Sequence, residues 1–184
     1  MFVDFLQKIV MLKDVSRKGW ISQVGIGNPE SVADHSFGCA ILAMFLGDLK
    51  GLDAKKLICL ALLHDFHEAL IGDYDIFDKQ NLGAYQVKKN QKFAIKEVFV
   101  DLPKSIQEEY RCLVEEYFNQ ETLEAQLVKQ IDKLEMALQA FNYEKKGYSS
   151  EKLDVFWDSV ESSITDPDLR LIYESLKNNR KKNT

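Results

Sequence analysis

The chain has 184 residues, a formal charge of −5 and a hydrophobic content of 46 %. That length suits one domain with a single core, burying roughly 70 % of the surface its unfolded chain would expose. The acidic balance, with a pI near 5.3, argues against a general nucleic-acid binder and leaves room for one locally positive pocket that takes a phosphate.

The first segment, MFVDFLQKIVMLKDV, carries Asp4 and Lys8 inside an apolar pattern, so it reads as an amphipathic helix and not a signal peptide. Phe2, Phe5, Leu6, Ile9, Val10 and Leu12 supply its apolar stripe. Residues 16–30 hold three glycines and Pro29 and read as a loop or short extended piece. Ser31, with Asp34 three residues on, caps a helix that runs to about Lys50 and stops at Gly51. The next helix starts at Asp53 or Ala54 and stops at Gly72. Further helices are expected near 81–100, 104–118, 121–145, 150–163 and 167–179, followed by a frayed, solvated basic tail at 180–184. No stretch approaches the ~18 apolar residues of a membrane span. Cys39, Cys59 and Cys112 are scattered and odd in number, as expected of reduced, buried residues in a cytoplasmic protein. The fold class is all-α, a single-domain helical bundle.

The dipeptide His64-Asp65 follows directly on the uncharged run Leu57-Ile58-Cys59-Leu60-Ala61-Leu62-Leu63. An imidazole and a carboxylate entering such a segment are costly to bury unless something binds them, and a divalent cation satisfies both. On a continuous helix His64 and Glu68 are four residues and about 6 Å apart on one face. Asp65 is turned about 100° away, yet still within reach of a metal at the helix edge. Asp73 follows Gly72 at the mouth of such a site. His35 lies in the first turn of the preceding helix and faces inward with Gly38, Cys39 and Leu42. Asp132 lies off the main stripe of its helix (Leu127, Ile131, Leu134, Leu138), either solvated or facing an interior cleft. In the glycine-containing loop, the Arg17 fork suits a phosphate. Trp20 either stacks a base or plugs the core. His67 reads as a supporting or structural residue.

The order His35, His64-Asp65, Asp132 resembles the signature of the HD-domain metal-dependent phosphohydrolases. More narrowly, R-K-G-W at 17–20, N-P-E-S-V-A-D-H at 28–35, H-D-x-x-E-x-x-x-G-D at 64–73 and K-Q-I-D-K-L-E-M-A-L-Q-A at 129–140 are similar to the 5′-deoxynucleotidase branch. The resemblance runs through residues 1–145, with the metal-site core at about 31–145 and the C-terminal helices at 150–179. It implies an HD-type helical fold, a homodimer, and phosphate release from (deoxy)ribonucleoside 5′-monophosphates. It also implies one divalent ion held by His35, His64, Asp65 and Asp132. Glu68 and Asp73 would serve proton transfer and substrate contacts, Arg17 the phosphate, joined by Lys18, and Trp20 the substrate loop. Two departures stand out. Lys18 and Gly19 separate the arginine from the tryptophan, which some members place side by side. Tyr74-Asp75-Ile76-Phe77 stands where relatives carry a threonine-proline or similar turn.

Three histidines are too few for a dinuclear, histidine-rich site. Two nitrogens and two carboxylates leave positions open for water, which suits Co²⁺, Mn²⁺, Fe²⁺ or Mg²⁺ better than a closed zinc site, although Zn²⁺ fits too. Other readings are a phosphodiesterase or nucleotide triphosphohydrolase of the same superfamily, and a non-catalytic helical module. The expected partner is a small nucleotide, with no nucleic-acid polymer and no membrane.

Overall fold

The computed structural model describes residues 2–183. Its α-helices are α1 (Phe2–Asp14), α2 (Val32–Lys50), α3 (Ala54–Leu63), α4 (Glu68–Ile71), α5 (Ile76–Val98), α6 (Lys104–Asn119), α7 (Leu123–Lys145), α8 (Ser150–Glu161) and α9 (Pro167–Asn183), and the segment expected as a loop winds into a short wide helical turn over Trp20–Val24. Among the described residues no strand forms, and one isolated bridge pairs Ser16 with Ser31. The all-α reading holds.

Helix α2 starts with a reciprocal cap. The Asp34 N–H donates to Ser31 Oγ at 3.0 Å, and the Ser31 N–H to Asp34 Oδ2 at 2.9 Å. It then packs closely on α3: a Cβ on Gly47 would meet Leu57 Cδ1 at 2.8 Å and the Ala54 Cα at 3.0 Å. Helix α7 is central, buried on two sides through Leu127, Ile131 and Leu134 and through Ala125, Val128 and Met136. The larger core gathers α2, α3 and α7 under α8 and α9. A smaller core joins Leu12, Phe66, Ile95, Val98, Phe99 and Val114, bringing α1, α5 and α6 against the chain after α3.

Several expectations are corrected. The helix over 53–72 breaks after Leu63. The Phe66 N–H donates to Leu63 O at 3.1 Å and the Glu68 N–H to Asp65 O at 2.9 Å, the three-residue spacing of a tightened turn, before α4 resumes. Helix α5 begins at Ile76 and not at 81, because Asp75 and Asp78 form a capping box, and it kinks at Gly83 (φ 76°). Helix α9 continues to Asn183. Arg180 is anchored there by Glu144 at 2.7 Å and Asp154 at 2.6 Å, so residues 180–183 are helical and not frayed; Thr184 lies outside the described residues. Cys112 is exposed, whereas Cys39 is buried, and all three cysteines are free.

Two departures concern apolar surface. Helix α1 turns Lys8 and Leu12 inward and leaves Phe2, Leu6, Ile9 and Val10 exposed. Helix α2 is long and apolar enough, by length and composition, to cross a membrane, contrary to the sequence expectation. Its inner side is buried through His35, Cys39 and Ala43, while Phe37, Ile41, Met44, Phe45 and Leu49 form an exposed outer stripe.

Candidate metal centre and catalytic pocket

Three separate segments supply the centre. His35 comes from the first turn of α2, His64 and Asp65 from the turn after α3, and Asp132 from the middle of α7. His35 and His64 are 0 % and 1 % exposed, and their rings meet edge-on with centroids 5.4 Å apart.

Their hydrogen bonds define which nitrogen is available. His64 Nδ1–H donates to the Ala61 carbonyl at 2.7 Å, and His35 Nδ1–H donates to Glu135 Oε2 at 2.5 Å. With both Nδ1 protons committed, Nε2 is the nitrogen that each ring turns towards the carboxylates. His64 Nε2 has no hydrogen-bond partner and lies 3.1 Å from Asp65 Oδ2; His35 Nε2 lies 3.3 Å from Asp132 Oδ1. Burial opposes protonation of His35, yet Cys39 and Asp132 raise its pKa well above the ordinary value, which marks its inward Nε2 as a seat for positive charge, whether a proton or a divalent ion. The residues therefore fit a divalent ion.

The charges agree. Burial opposes ionisation of Asp65, but His64 and Arg17 outweigh it and hold the carboxyl below the usual range. Asp132, likewise opposed by burial, is held well below that range by His35 and Lys133. Cys39 Sγ is 3.6 Å from His35 Nε2 and forms an alternative donor set with both histidines. Burial pushes its thiol up to about 11, which makes it a poorer ligand at neutral pH than the ionised carboxylates. A further group, Glu30, His35 and Glu135, lies on the Nδ1 side of the His35 ring.

The tightened turn at 64–67 brings a second set of acids to the same place. With about three residues per turn, Asp65 and Glu68 share one side, where a continuous α-helix would separate them by about 60°. Together with Arg17, Asp73, Asp132 and Lys129 they line a pocket of ≈ 250 Å³. Burial, reinforced by Asp65 and Asp73, raises the Glu68 carboxyl well above its ordinary value, and its Oε2 has no hydrogen-bond partner. Asp73 is raised too, chiefly by burial, while its Oδ2 accepts the Lys18 N–H at 2.7 Å.

Arg17 is aimed by the clasp between residues 15–17 and 30–32. The Arg17 N–H donates to Glu30 O at 3.1 Å and the Val32 N–H to Val15 O at 2.8 Å. Its Nη1 lies 3.4 Å from Asp65 Oδ2. Two other residues of this segment are placed away from the substrate role that the resemblance implies. The Lys18 ammonium pairs with Asp78 Oδ2 at 3.0 Å and is not among the residues lining the pocket; only its backbone N–H serves the site, through Asp73. Trp20 touches the pocket wall but is 1 % exposed, stacked on Phe156 at 4.0 Å and donating from Nε1 to Glu30 Oε1 at 2.9 Å. As placed, it plugs the core and offers no open face to a base.

Four contributors were not read from the sequence. Glu135, one helical turn after Asp132, orients His35, and it reaches that ring because residue 38 is glycine: a Cβ there would sit 2.8 Å from Glu135 Oε1. Lys129 and Lys133 approach Asp132 Oδ2 at 3.6 and 3.9 Å. Their i−3 and i+1 spacing from Asp132 was the available signal. Tyr117 on α6 donates to Asp132 Oδ2 at 3.2 Å, and nothing in its local sequence marks it. His67 is buried beside Phe118, with both ring nitrogens lacking partners and burial lowering its pKa.

Residues 9–167 match the HD domain family. The chain is 36 % identical over 191 aligned residues to the 5′-deoxynucleotidase HDDC2 of Dictyostelium discoideum, covering 98 % of each chain. It is 33 % identical to the protein of that name from Homo sapiens, covering 98 % of this chain and 87 % of the relative. Among solved structures, a conserved hypothetical protein from Pyrococcus furiosus superposes with a TM-score of 0.78 at 34 % identity, over 96 % of this chain and 99 % of the other. The PH0347 protein from Pyrococcus horikoshii gives 0.79 at 30 % identity, over 99 % of both. The helical fold, the histidine–aspartate centre and these likenesses together place the chain in the HD domain family.

Proposed function

We propose that this protein is a metal-dependent phosphomonoester hydrolase that releases phosphate from (deoxy)ribonucleoside 5′-monophosphates, acting as a 5′-deoxynucleotidase. The observation that carries the reading is the pair of buried imidazoles whose Nε2 atoms face Asp65 and Asp132, beside an arginine and a carboxyl raised well above its ordinary range. The names of the relatives fit it. His35, His64, Asp65 and Asp132 would hold one divalent ion. When bound there, such an ion supplies an acidified water and neutralises a phosphoryl oxygen. Co²⁺, Mn²⁺, Fe²⁺ and Mg²⁺ all suit the mixed donor set, and Zn²⁺ does too.

Arg17 receives the phosphate and neutralises it with its fixed fork. Glu68, whose carboxyl burial raises well above its ordinary value, gives its proton to the departing 5′-oxygen, which as an alkoxide is a poor leaving group. Asp73, fixed by the Lys18 amide, contacts the substrate at the pocket mouth. Glu135 keeps the His35 ring turned so that Nε2 faces inward. The exposed stripes on α1 and α2 suit a second copy of the chain, in keeping with a homodimer, and the cytoplasm is its proposed compartment.

The test is phosphate release from a panel of nucleoside monophosphates by protein loaded in turn with Co²⁺ and Mn²⁺. Deoxyribonucleotides are expected to turn over faster than ribonucleotides, and absence of release from every member defeats the reading. Asp65→Ala is expected to lose both bound metal and activity; retained metal in that variant overturns the ligand assignment.

A further inference from the structure

Beside the pocket lies a larger cleft of ≈ 840 Å³ between α5 and α6. The two spaces share Lys79, Gln91 and Phe118 in their linings and so adjoin one another. Its α5 wall carries Lys88, Lys92 and Lys96, four residues apart along one face and therefore about 6 Å from one to the next. Arg111 stands on the α6 wall and approaches Glu115, the carboxylate of the lining, at 3.8 Å.

This charge pattern is at odds with the rest of the molecule. The chain has 29 acidic and 24 basic residues, yet from Lys79 through Lys96 it carries Lys79, Lys88, Lys89, Lys92 and Lys96 and no acid. Like charges at four-residue spacing destabilise a helix. Lys79 faces Glu68 and Asp73 of the adjoining pocket, whereas among the described residues no ion pair is formed by Lys88, Lys92 or Lys96 to relieve that repulsion. A nucleoside monophosphate does not account for the column, because its one phosphate goes to Arg17 in the adjoining pocket. A row of cations at regular intervals, entered past the half-exposed Phe118 ring, instead matches a phosphodiester strand leaving the pocket with a base against that ring.

We propose that the α5–α6 cleft binds the 3′-linked phosphates of a short single-stranded oligonucleotide whose 5′-phosphate occupies the catalytic pocket, making 5′-phosphorylated di- and trinucleotides further substrates. The proposal rests on the nucleotidase reading and extends it. The chemistry is unchanged: a water oxygen bonds to phosphorus as the bond from phosphorus to the 5′-oxygen breaks, and that oxygen takes a proton. The products are inorganic phosphate and an oligonucleotide with a free 5′-hydroxyl. The phosphodiesters in the cleft stay intact.

The experiment compares steady-state phosphate release from thymidine 5′-monophosphate and from 5′-phosphorylated thymidine di- and trinucleotides, in wild type and in Lys88→Gln/Lys92→Gln. Both lysines are exposed and lie outside the catalytic pocket, so the variant keeps its fold and its monophosphate turnover. Wild type is expected to show a KM for the trinucleotide about tenfold below that for the monophosphate, rising about tenfold in the variant and with added salt, while the monophosphate KM stays put. Equal KM shifts for all substrates, or a trinucleotide KM indifferent to the substitutions, overturn the proposal and leave the nucleotidase reading standing. Inorganic tripolyphosphate competing with the monophosphate through Lys88 and Lys92, with the trinucleotide not released of its phosphate, also overturns it. Loss of monophosphate release in wild type marks instead the failure of the underlying reading.

Discussion

The two cores each bury charge, and they do so in opposite ways. In the smaller core the Lys8 ammonium donates to the carbonyls of Glu97 at 3.1 Å and Val98 at 3.0 Å and to Asp101 Oδ2 at 2.8 Å. All three of its protons are placed. Beside the larger core, His64 Nε2, both nitrogens of His67 and Glu68 Oε2 have no hydrogen-bond partner. A buried polar group left unmatched costs about 1–3 kcal/mol, and His64 Nε2 at the metal centre and Glu68 Oε2 in the pocket wall are where a ligand would remove that cost. The contrast separates a charge that ties helices together from charges that await chemistry.

The largest expected effect falls on the unmatched side. Glu68→Gln keeps the shape of the side chain and removes its titratable proton, so kcat should fall by about 10²–10⁴ with bound metal retained. Because the Glu68 carboxyl lies well above its usual range, the wild-type rate should decline as pH rises through that raised value, and this alkaline decline should vanish in the variant. A pH profile of kcat for both proteins checks this. An unchanged decline in Glu68→Gln assigns the acid elsewhere, with Asp73 the next group to replace.

Next in size is the matched side. Lys8→Met removes the cation and leaves two carbonyls and Asp101 facing a thioether, at a cost of about 2–4 kcal/mol in stability. Turnover per folded molecule should be unchanged, because Lys8 lies outside the pocket. Denaturant unfolding and kcat on the same preparations measure the two independently. A variant that folds as well as wild type but turns over slowly would erase the distinction between the cores.

The sequence disclosed the side of this contrast that depends on residue type. His64 and Asp65 stood out because an imidazole and a carboxylate follow an apolar run, His35 and Asp132 joined them only through the family resemblance, and the all-α fold was legible because nearly every segment repeats with helical period. What escaped depends on geometry that periodicity does not carry. The break after Leu63 falls in a run whose helical pattern continues through Ile71, so only the tightened hydrogen bonds reveal that Asp65 and Glu68 share a side. Tyr117 reaches Asp132 from another helix. Trp20 and Lys18 were placed by loop position, yet the choice between pocket, core and surface was made by Phe156, Glu30 and Asp78, distant partners the loop itself does not specify. The α1 stripe was real as a pattern, but its outward direction is set by Lys8 seeking the end of α5.

The smallest effect tests a group between the two extremes. Glu30 accepts the Trp20 Nε1–H, and burial, with the charge of Glu135, pushes its carboxyl up to about 7. The unfolded chain holds that carboxyl near 4.5. Between those two values the folded protein binds the extra proton, so this contribution to stability is complete below about 4.5 and is lost as pH rises through 7. Glu30→Gln does not titrate and can still accept the indole N–H. Its melting temperature relative to wild type, measured on chelated protein, should therefore climb between pH 5 and pH 7 and level off above, by the linkage relation. A difference that is flat across that interval would mean Glu30 is ionised throughout. Glu30 would then rank with the satisfied charges, as Lys8 does, and the unmatched set would end at the pocket wall.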